Sequence, residues 1–335
     1  MKKESTHMQN EEMAHIKQSL EIPVMMAPMF LISNPKMVIN ACHSGIIGTF
    51  PALNARTGEI LEDWMKEITT ALETLKQKNP DKKIGPWGIN YIVHRSNKRY
   101  VEDLQLIEKY QPPVVITSLG DPGPVAEIVH AYGGIVFSDV INLKYAKKAI
   151  EKGADGLVLV AGGAGGHAGT YNPISFVHEI REFFAGPIAL SGGMSKGEDI
   201  LVTELLGADL AYIGTRFITA EESTASDGYK QTIIDSSIED IMYTDAFTGV
   251  NANYLIPSII ESGLDPEKLQ RKEAIDFSEL DNKRAKAWKD IWGAGQGIGP
   301  IHKVQTVAEI VDELKDGYNQ SIETVANKNR TFIQK

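Results

Sequence analysis

The chain has 335 residues, of which 42% are hydrophobic and 23% charged, so it can bury a substantial core in one large α/β domain or two ordinary ones. Its formal net charge of −10 argues against nucleic acid or an anionic membrane as the main partner. A single cysteine, Cys42, excludes an internal disulfide framework, and no apolar run is long enough to cross a bilayer. The first residues lack the apolar run of a signal peptide, so we predict a cytoplasmic protein.

From residue 24 onward, short apolar runs alternate with amphipathic helical patterns. Most of these runs are apolar on both faces, as expected for parallel strands that are covered on each side. The clearest helix is predicted over 60–78, where Leu61, Met65, Ile68 and Leu72 recur at three- and four-residue spacing. The eight predicted strands are 24–30, 46–51, 84–92, 113–119, 134–140, 156–162, 187–193 and 210–218.

Eight strand–helix units in succession predict a (β/α)₈ (TIM) barrel over residues 20–236. An open, doubly wound sheet is the alternative, because one sequence does not reveal the order of the strands. In a barrel the loops that follow the strands meet at one end. Residues placed there are therefore the first candidates for a site.

Residues 237–335 lose the alternating pattern, and we predict a helical extension that packs on the barrel and covers its mouth. A separate small domain is less favoured, because no Pro/Ser-rich linker divides the two parts. Within this segment "WGAGQGIGPI" (292–301) is rich in glycine and contains Gln296. It is interpreted as a loop that folds back over the mouth, the alternative being a plain connector between helices.

Two glycine-containing turns end the seventh and eighth strands, "SGG" (191–193) and "IGT" (213–215). The loops after these two strands form the common phosphate site of barrel enzymes, where backbone N–H groups and a helix N-terminus bind the anion. Gly192 and Gly193 permit a close backbone approach, and Thr215 adds a hydroxyl donor. The alternative is a pair of ordinary turns.

After the sixth strand comes "AGGAGGHAG" (161–169), a glycine-rich loop with His167 in it. It lacks the Lys-Ser/Thr ending of a P-loop and the downstream acidic residue of a dinucleotide-binding fold. Such a loop suits a planar ring that lies against backbone, and His167 would bind an anionic substrate or accept a proton. The alternative is a histidine that only satisfies loop carbonyls.

Other polar residues carry weaker signals. No histidines are spaced as zinc ligands, and Cys42 has no cysteine partner, so we predict no metal site. Cys42 is interpreted as a packing residue, although His43 follows it. Asn90 closes the third strand and offers both a donor and an acceptor where a cofactor edge would lie.

Together these motifs resemble the nitronate monooxygenase family, also called 2-nitropropane dioxygenases, which includes the FMN-dependent enoyl-acyl-carrier-protein reductases. "MAPM" (26–29) is similar to the family's first-strand motif, and "AGGH" followed by "AG" to its signature loop. "SGGM" and "YIGT" resemble its turns after the seventh and eighth strands, and "GAGQGIG" extends the match toward the C-terminus. Many relatives have Glu, Arg and Gln where this chain has Gly163, Ala168 and Val160.

The resemblance implies bound FMN and gives roles to matching positions. His167 would face the substrate above the flavin ring, as the catalytic residue. Asn90 and Gly165 would contact the flavin, and the glycines of the two turns would hold its phosphate. The residues that the resemblance assigns to FMN are Ala27, Pro28, Met29, Asn90, Gly165, Gly166, Gly192, Gly193, Ile213, Gly214, Thr215 and Gln296.

The implied activity is the oxidation of alkyl nitronates, or nitroalkanes, with O₂ to a carbonyl compound and nitrite. One alternative is an FMN reductase that uses NAD(P)H on an enoyl thioester or a quinone. Another is a non-redox, phosphate-binding barrel such as an aldolase or isomerase. Such enzymes commonly need a strand lysine or paired carboxylates, and Asp139 is the main residue of this kind at the strand ends. The expected partners are small molecules, and a homodimer is left open.

Overall fold

The computed structural model describes residues 13–270 and 290–332. Its centre is a closed barrel of eight parallel strands, which confirms the predicted barrel and excludes the open doubly wound sheet. Every barrel strand lies within one of the eight predicted runs. In ring order they are β1 (Val24–Met26), β2 (Ile47–Pro51), β3 (Trp87–Ile92), β4 (Val114–Ser118), β5 (Ile135–Val140), β6 (Gly156–Val160), β8 (Ile188–Ser191) and β9 (Leu210–Ile213).

The barrel closes where β1 pairs in parallel with both β2 and β9, with Met25 opposite Ile47 on one side and Tyr212 on the other. Inside, a buried cluster that includes Met25, Ile47, Phe137 and Tyr212 fills the barrel. Neighbouring strand residues such as Met26 face outward and are buried under the helices. Burial on both faces explains why the strand sequences are apolar throughout.

Helices form the outer layer of the barrel. Two of them begin at asparagine caps, since the Asn142 and Asn172 side chains accept hydrogen bonds from the N–H groups of Tyr145 and Ile174. Residues 13–18 are also helical. The helices are α1 (Pro35–His43), α2 (Gly58–Lys78), α3 (Tyr100–Tyr110), α4 (Gly123–Ala131), α5 (Leu143–Glu151), α6 (Pro173–Arg181), α7 (Gly197–Leu205), α8 (Thr215–Ile218), α9 (Asp227–Asp235), α10 (Ile256–Glu261) and α11 (Val307–Phe332).

The region after residue 236 contains two strands where helices were expected, β10 (Ile241–Thr244) and β11 (Ala252–Leu255). They form an antiparallel hairpin, and β11 pairs further with β7 (Gly166–His167), which belongs to the loop after β6. A four-residue strand shows only two alternations, too few to separate it from a helix by periodicity. Its partner, β7, is distant in sequence.

The long helix α11 takes the place of the barrel's eighth helix. The helix after β9, α8, has only four residues, and α11 packs against α7, α1 and α8 on the outside of the barrel. At Gly197 a β-carbon would lie 2.3 Å from the Leu314 carbonyl oxygen, so α7 and α11 touch backbone to backbone. The hairpin and the glycine loop at 293–297 are the parts that reach the barrel mouth. None of the helices in the described ranges is long and apolar enough to span a membrane.

Candidate active site

The site residues predicted on the barrel lie at one end of it, because parallel strands direct their C-terminal ends to the same side. They come from five of the eight strands or the loops after them. The residues are Ala27, Pro28 and Met29 after β1, Asn90 in β3, Gly165, Gly166 and His167 after β6, Gly192 and Gly193 after β8, and Ile213, Gly214 and Thr215 at the end of β9.

The loop after β1 lies beside the end of β9. The Ala27 N–H donates to the Ile213 carbonyl at 2.8 Å. A β-carbon at Gly214 would contact the side chains of Ala27 and Met29 at 3.5 and 3.9 Å. The "MAPM" and "YIGT" segments, 187 residues apart between Ala27 and Gly214, are thus neighbours in space.

The turn after β8 has a backbone that only glycine adopts without strain. Gly192 has φ +136° and Gly193 has φ +72°. A β-carbon at Gly192 would lie 2.7 Å from the Gly162 carbonyl oxygen, whereas one at Gly193 would meet no atom of residues 13–270 and 290–332 within 4 Å. The space in front of Gly193 is therefore open, whereas Gly192 lies directly against the backbone of the loop after β6.

The glycine loop at 293–297 packs against the turns after β6, β8 and β9. Gly295 N–H donates to Thr215 Oγ1 at 2.8 Å, and Gln296 N–H donates to the Gly163 carbonyl at 2.8 Å. A β-carbon at Gly163 would lie 2.9 Å from Gln296 Oε1. Gln296 therefore lies with the other predicted site residues, although it is distant from most of them in sequence.

The glycine-rich loop after β6 is held in place by the hairpin. Ala252 and Asn253 of β11 pair with His167 and Gly166. The Asn253 side chain donates to the Ala164 carbonyl at 2.6 Å. Tyr243 makes a second side-chain hydrogen bond to this loop, since its hydroxyl donates to the Ala168 carbonyl at 2.8 Å. At four of the loop's five glycines a β-carbon would lie within 3.1 Å of another atom, so the loop is closely packed and has a defined shape.

His167 is partly buried where the loop meets the hairpin. Its Nε2 lies 3.1 Å from Thr248 Oγ1, which belongs to the turn between β10 and β11. Burial lowers the pKa of His167 to about 4, because an imidazolium ion loses its hydration there. The ring is therefore uncharged at neutral pH, in contrast to the near-neutral pKa that its residue type alone suggests.

A chain of polar side chains crosses the ends of β3, β4 and β5. Asn90 Nδ2 donates to Ser118 Oγ at 2.7 Å, and Ser118 Oγ donates to Asp139 Oδ2 at 2.5 Å. Burial raises the pKa of Asp139 to about 6. Sequence reasoning missed Ser118, although its place at the last position of a strand, like that of Asn90 near the end of β3, was an available signal.

Two further expectations concern cysteine and metals. Cys42 is fully buried, and burial raises the pKa of its thiol to about 12, which confirms that it is a packing residue. Among residues 13–270 and 290–332, no three His, Cys, Asp or Glu side chains are grouped as metal ligands would be.

Comparisons with known proteins agree with this geometry. The family model described as nitronate monooxygenase matches residues 11–317. A nitronate monooxygenase from Paraburkholderia phytofirmans is 26% identical over 91% of this chain and 94% of its own length. A probable nitronate monooxygenase from Staphylococcus aureus is 24% identical over 72% of this chain and 78% of its own length.

Solved structures share the fold. FabK from Thermotoga maritima has a TM-score of 0.75 at 21% identity and covers 95% of this chain and 98% of its own. Nitroalkane oxidase from Streptomyces ansochromogenes has a TM-score of 0.75 at 20% identity, with 93% and 99% covered. The match of the family model to nearly the whole sequence shows that the chain belongs to the nitronate monooxygenase family of oxidoreductases.

Proposed function

We propose that this protein binds FMN at the C-terminal end of its barrel and oxidises alkyl nitronates, or nitroalkanes, with O₂ to a carbonyl compound and nitrite. The observation that carries the proposal is His167, held uncharged in the loop after β6, whose Gly163 and Gly165 contact the turns after β8 and β9. Relatives named for nitronate and nitroalkane oxidation support the substrate class.

The residues at the barrel mouth fit a flavin phosphate. The turn after β8 has open space where a side chain of Gly193 would stand, so an anion can approach its backbone. Thr215 Oγ1 accepts from Gly295 N–H and keeps its own proton to donate. We infer that Gly192, Gly193, Gly214 and Thr215 hold the phosphate.

The loop after β1 and the loop at 293–297 flank these turns. The Ala27 and Met29 side chains lie next to the place where a β-carbon of Gly214 would stand, and the Gln296 side chain lies next to that of Gly163. We assign Ala27, Met29 and Gln296 to the flavin on this basis. The remaining residues, assigned to it by the family resemblance, are Pro28, Asn90, Gly165, Gly166 and Ile213.

FMN supplies the electron-accepting ring and the reaction with O₂ when it is bound. With a neutral nitroalkane, His167 accepts the proton from the α-carbon, and the imidazolium ion that forms binds the anionic nitro group. An uncharged imidazole is the proton-accepting form. Burial disfavours the imidazolium ion, but the nitronate formed in the same step carries the opposite charge and stabilises it. Proton transfer is therefore coupled to the presence of a substrate that becomes an anion.

The test is the visible spectrum of the purified full-length protein under anaerobic conditions. We expect a flavin spectrum that bleaches on addition of a nitronate and recovers with O₂, with nitrite as a product. Bleaching by NAD(P)H but not by nitronate would replace the proposal with a reductase. A colourless protein that does not take up added FMN would favour a non-redox barrel.

A further inference from the structure

The polar chain across β3, β4 and β5 ends in a buried oxygen without a partner. Asp139 Oδ2 accepts from Ser118, but Oδ1 has no hydrogen-bond partner among the described residues and is inaccessible to solvent. A buried, unsatisfied carboxyl oxygen is costly to a folded protein. At the C-terminal end of the barrel, such an atom is a candidate contact for a bound ligand.

The orientation of the Asn90 amide follows from its fixed neighbour. One N–H of Asn90 donates to the Ile116 carbonyl at 3.1 Å, and a backbone carbonyl can only accept. The other N–H donates to Ser118 Oγ at 2.7 Å. Both amide hydrogens are used, so Asn90 offers a ligand its carbonyl oxygen, Oδ1, as an acceptor.

The hydrogen-bond directions also place a proton on Asp139. Ser118 receives a hydrogen from Asn90 and gives its own to Asp139 Oδ2. When Asp139 is a neutral acid, its proton therefore belongs on Oδ1. Burial favours this acid form, since it raises the pKa of Asp139 to about 6. A ligand acceptor at Oδ1 would favour it further.

We propose that Asp139 and Asn90 form a donor–acceptor pair that binds adjacent C=O and N–H groups, those of the pyrimidine edge of the isoalloxazine ring. Ser118 is a positioning residue, because it fixes the direction of both side chains. The inference rests on the proposed flavin site and adds to it the residue that hydrogen-bonds a ring carbonyl. It also selects a ligand: a ring with a C=O group but no neighbouring N–H would match only half of the pair.

The experiment uses the full-length protein stripped of flavin and measures Kd for FMN and for 3-methyl-FMN, which lacks the ring N–H. We expect the parent to bind FMN at least about 10-fold more tightly than 3-methyl-FMN. Asn90→Ala should reduce this ratio toward one, because it removes both the acceptor and the obstacle to the methyl group. Equal affinities of the parent for the two flavins would overturn the proposal.

The donor is tested with two substitutions at one position. Asp139→Ala should weaken FMN binding about 10-fold, whereas Asp139→Asn, which keeps an acceptor for Ser118 and an N–H donor, should stay within about threefold of the parent. Asp121→Ala is the matched control, since this exposed carboxylate lies in the loop after β4 and pairs with Lys152. FMN affinity equal to the parent's in Asp139→Ala would overturn the proposal.

Two readouts keep the outcomes separate. The melting temperature shows whether Asp139→Ala folds, and if it does not, Asn90→Ala with the two flavins decides the question. The visible band of bound FMN should shift between Asp139→Ala and the parent, since a hydrogen bond to a ring carbonyl is lost. Failure of the parent to bind either flavin would refute the proposed function, whereas tight binding of both without discrimination would refute only this inference.

Discussion

His167 and Thr248 are hydrogen-bonded across the hairpin, with 3.1 Å between Nε2 and Oγ1, although 81 residues separate them. The Thr248 hydroxyl also lies 3.1 Å from the Val250 carbonyl, to which it donates its single proton. We infer from this that His167 Nε2 carries the ring proton and donates to Thr248. The lone pair of the neutral ring is consequently on Nδ1, the nitrogen that we expect to act as the base.

Replacement of Thr248 tests this tautomer. Thr248→Val keeps the shape but removes the acceptor, so the ring loses its fixed tautomer and orientation. We expect kcat/KM for a neutral nitroalkane to fall about 10- to 100-fold, part of the usual contribution of a general base. Oxidation of preformed nitronate should change less, because its proton is already removed.

Thr248→Ser is the matched control and should restore the parent's rates, since it keeps the hydroxyl. Ring ¹⁵N chemical shifts of labelled histidine, assigned with a His167→Asn sample, report the tautomer directly. A ring that carries its proton on Nδ1 in the parent would contradict the assignment.

His167 itself should matter more for catalysis than for folding. In His167→Ala the backbone pairing with Ala252 remains. The lost side-chain hydrogen bond is worth about 1 kcal/mol of stability, so a small decrease in melting temperature is expected. Activity on neutral nitroalkane should fall about 10²- to 10⁴-fold.

His167→Asn separates the two roles of the ring. Asn can hydrogen-bond an anion but does not accept a proton, so it should recover activity on nitronate and not on nitroalkane. Steady-state kinetics with both substrates, at equal flavin content, measure this. Parent-like rates for His167→Ala on both substrates would show that the residue is a bystander.

The barrel could be predicted from sequence because its signals are local. Eight apolar runs, the asparagine caps and the glycine turns each report on a few consecutive residues. The hairpin could not, because β10 and β11 are four residues each and β11 pairs with β7, whose His167 lies 85 residues before its partner Ala252. Likewise, Thr248 lies in a polar turn, and only the three-dimensional contact connects it with His167.

The pKa values of the site residues could not be predicted from the sequence either, because they depend on burial. The residue type assigns His167 a pKa near neutrality and Asp139 one near 4, but burial lowers the first to about 4 and raises the second to about 6. Both shifts arise from chain segments that are distant in sequence. The motif predicts where the site lies, whereas the protonation states needed the fold.

Gly193 tests the phosphate site. In Gly193→Val the side chain would occupy the open space in front of the turn, and φ +72° would strain the backbone. We expect the purified protein to have lost most of its flavin, with FMN affinity reduced at least about 10-fold. Absorbance at the flavin band relative to 280 nm measures the content.

Gly133→Val separates strain from obstruction. Gly133 has φ +81°, and no atom of the described residues lies within 4 Å of its β-carbon position, but it precedes β5 at the opposite end of the barrel. Gly133→Val should lower the melting temperature about as much as Gly193→Val does and should leave the flavin content unchanged. Full flavin content in Gly193→Val would show that the phosphate lies elsewhere.

His130 and Asp155 should make stability depend on pH, away from the active site. His130 Nε2 lies 2.8 Å from Asp155 Oδ2, which also accepts from the Val136 N–H. The hydrogen bond to Asp155 raises the pKa of His130 above its usual value near 6.5, against the opposing effect of burial. A raised pKa in the folded state means that the pair stabilises the protein fully below the unfolded pKa. This contribution is lost as the pH rises through the folded pKa.

His130→Gln should therefore lower the melting temperature more at pH 5.5 than at pH 8.5. Since 42% of the His130 side chain is exposed, the difference should be modest and should shrink in 1 M salt. His178→Gln is the control, because His178 is exposed and makes no ion pair in the described part of the chain. Differential scanning fluorimetry of the three proteins at both pH values measures the effect. An equal loss at the two pH values would show that His130 contributes by packing and that its charge is irrelevant.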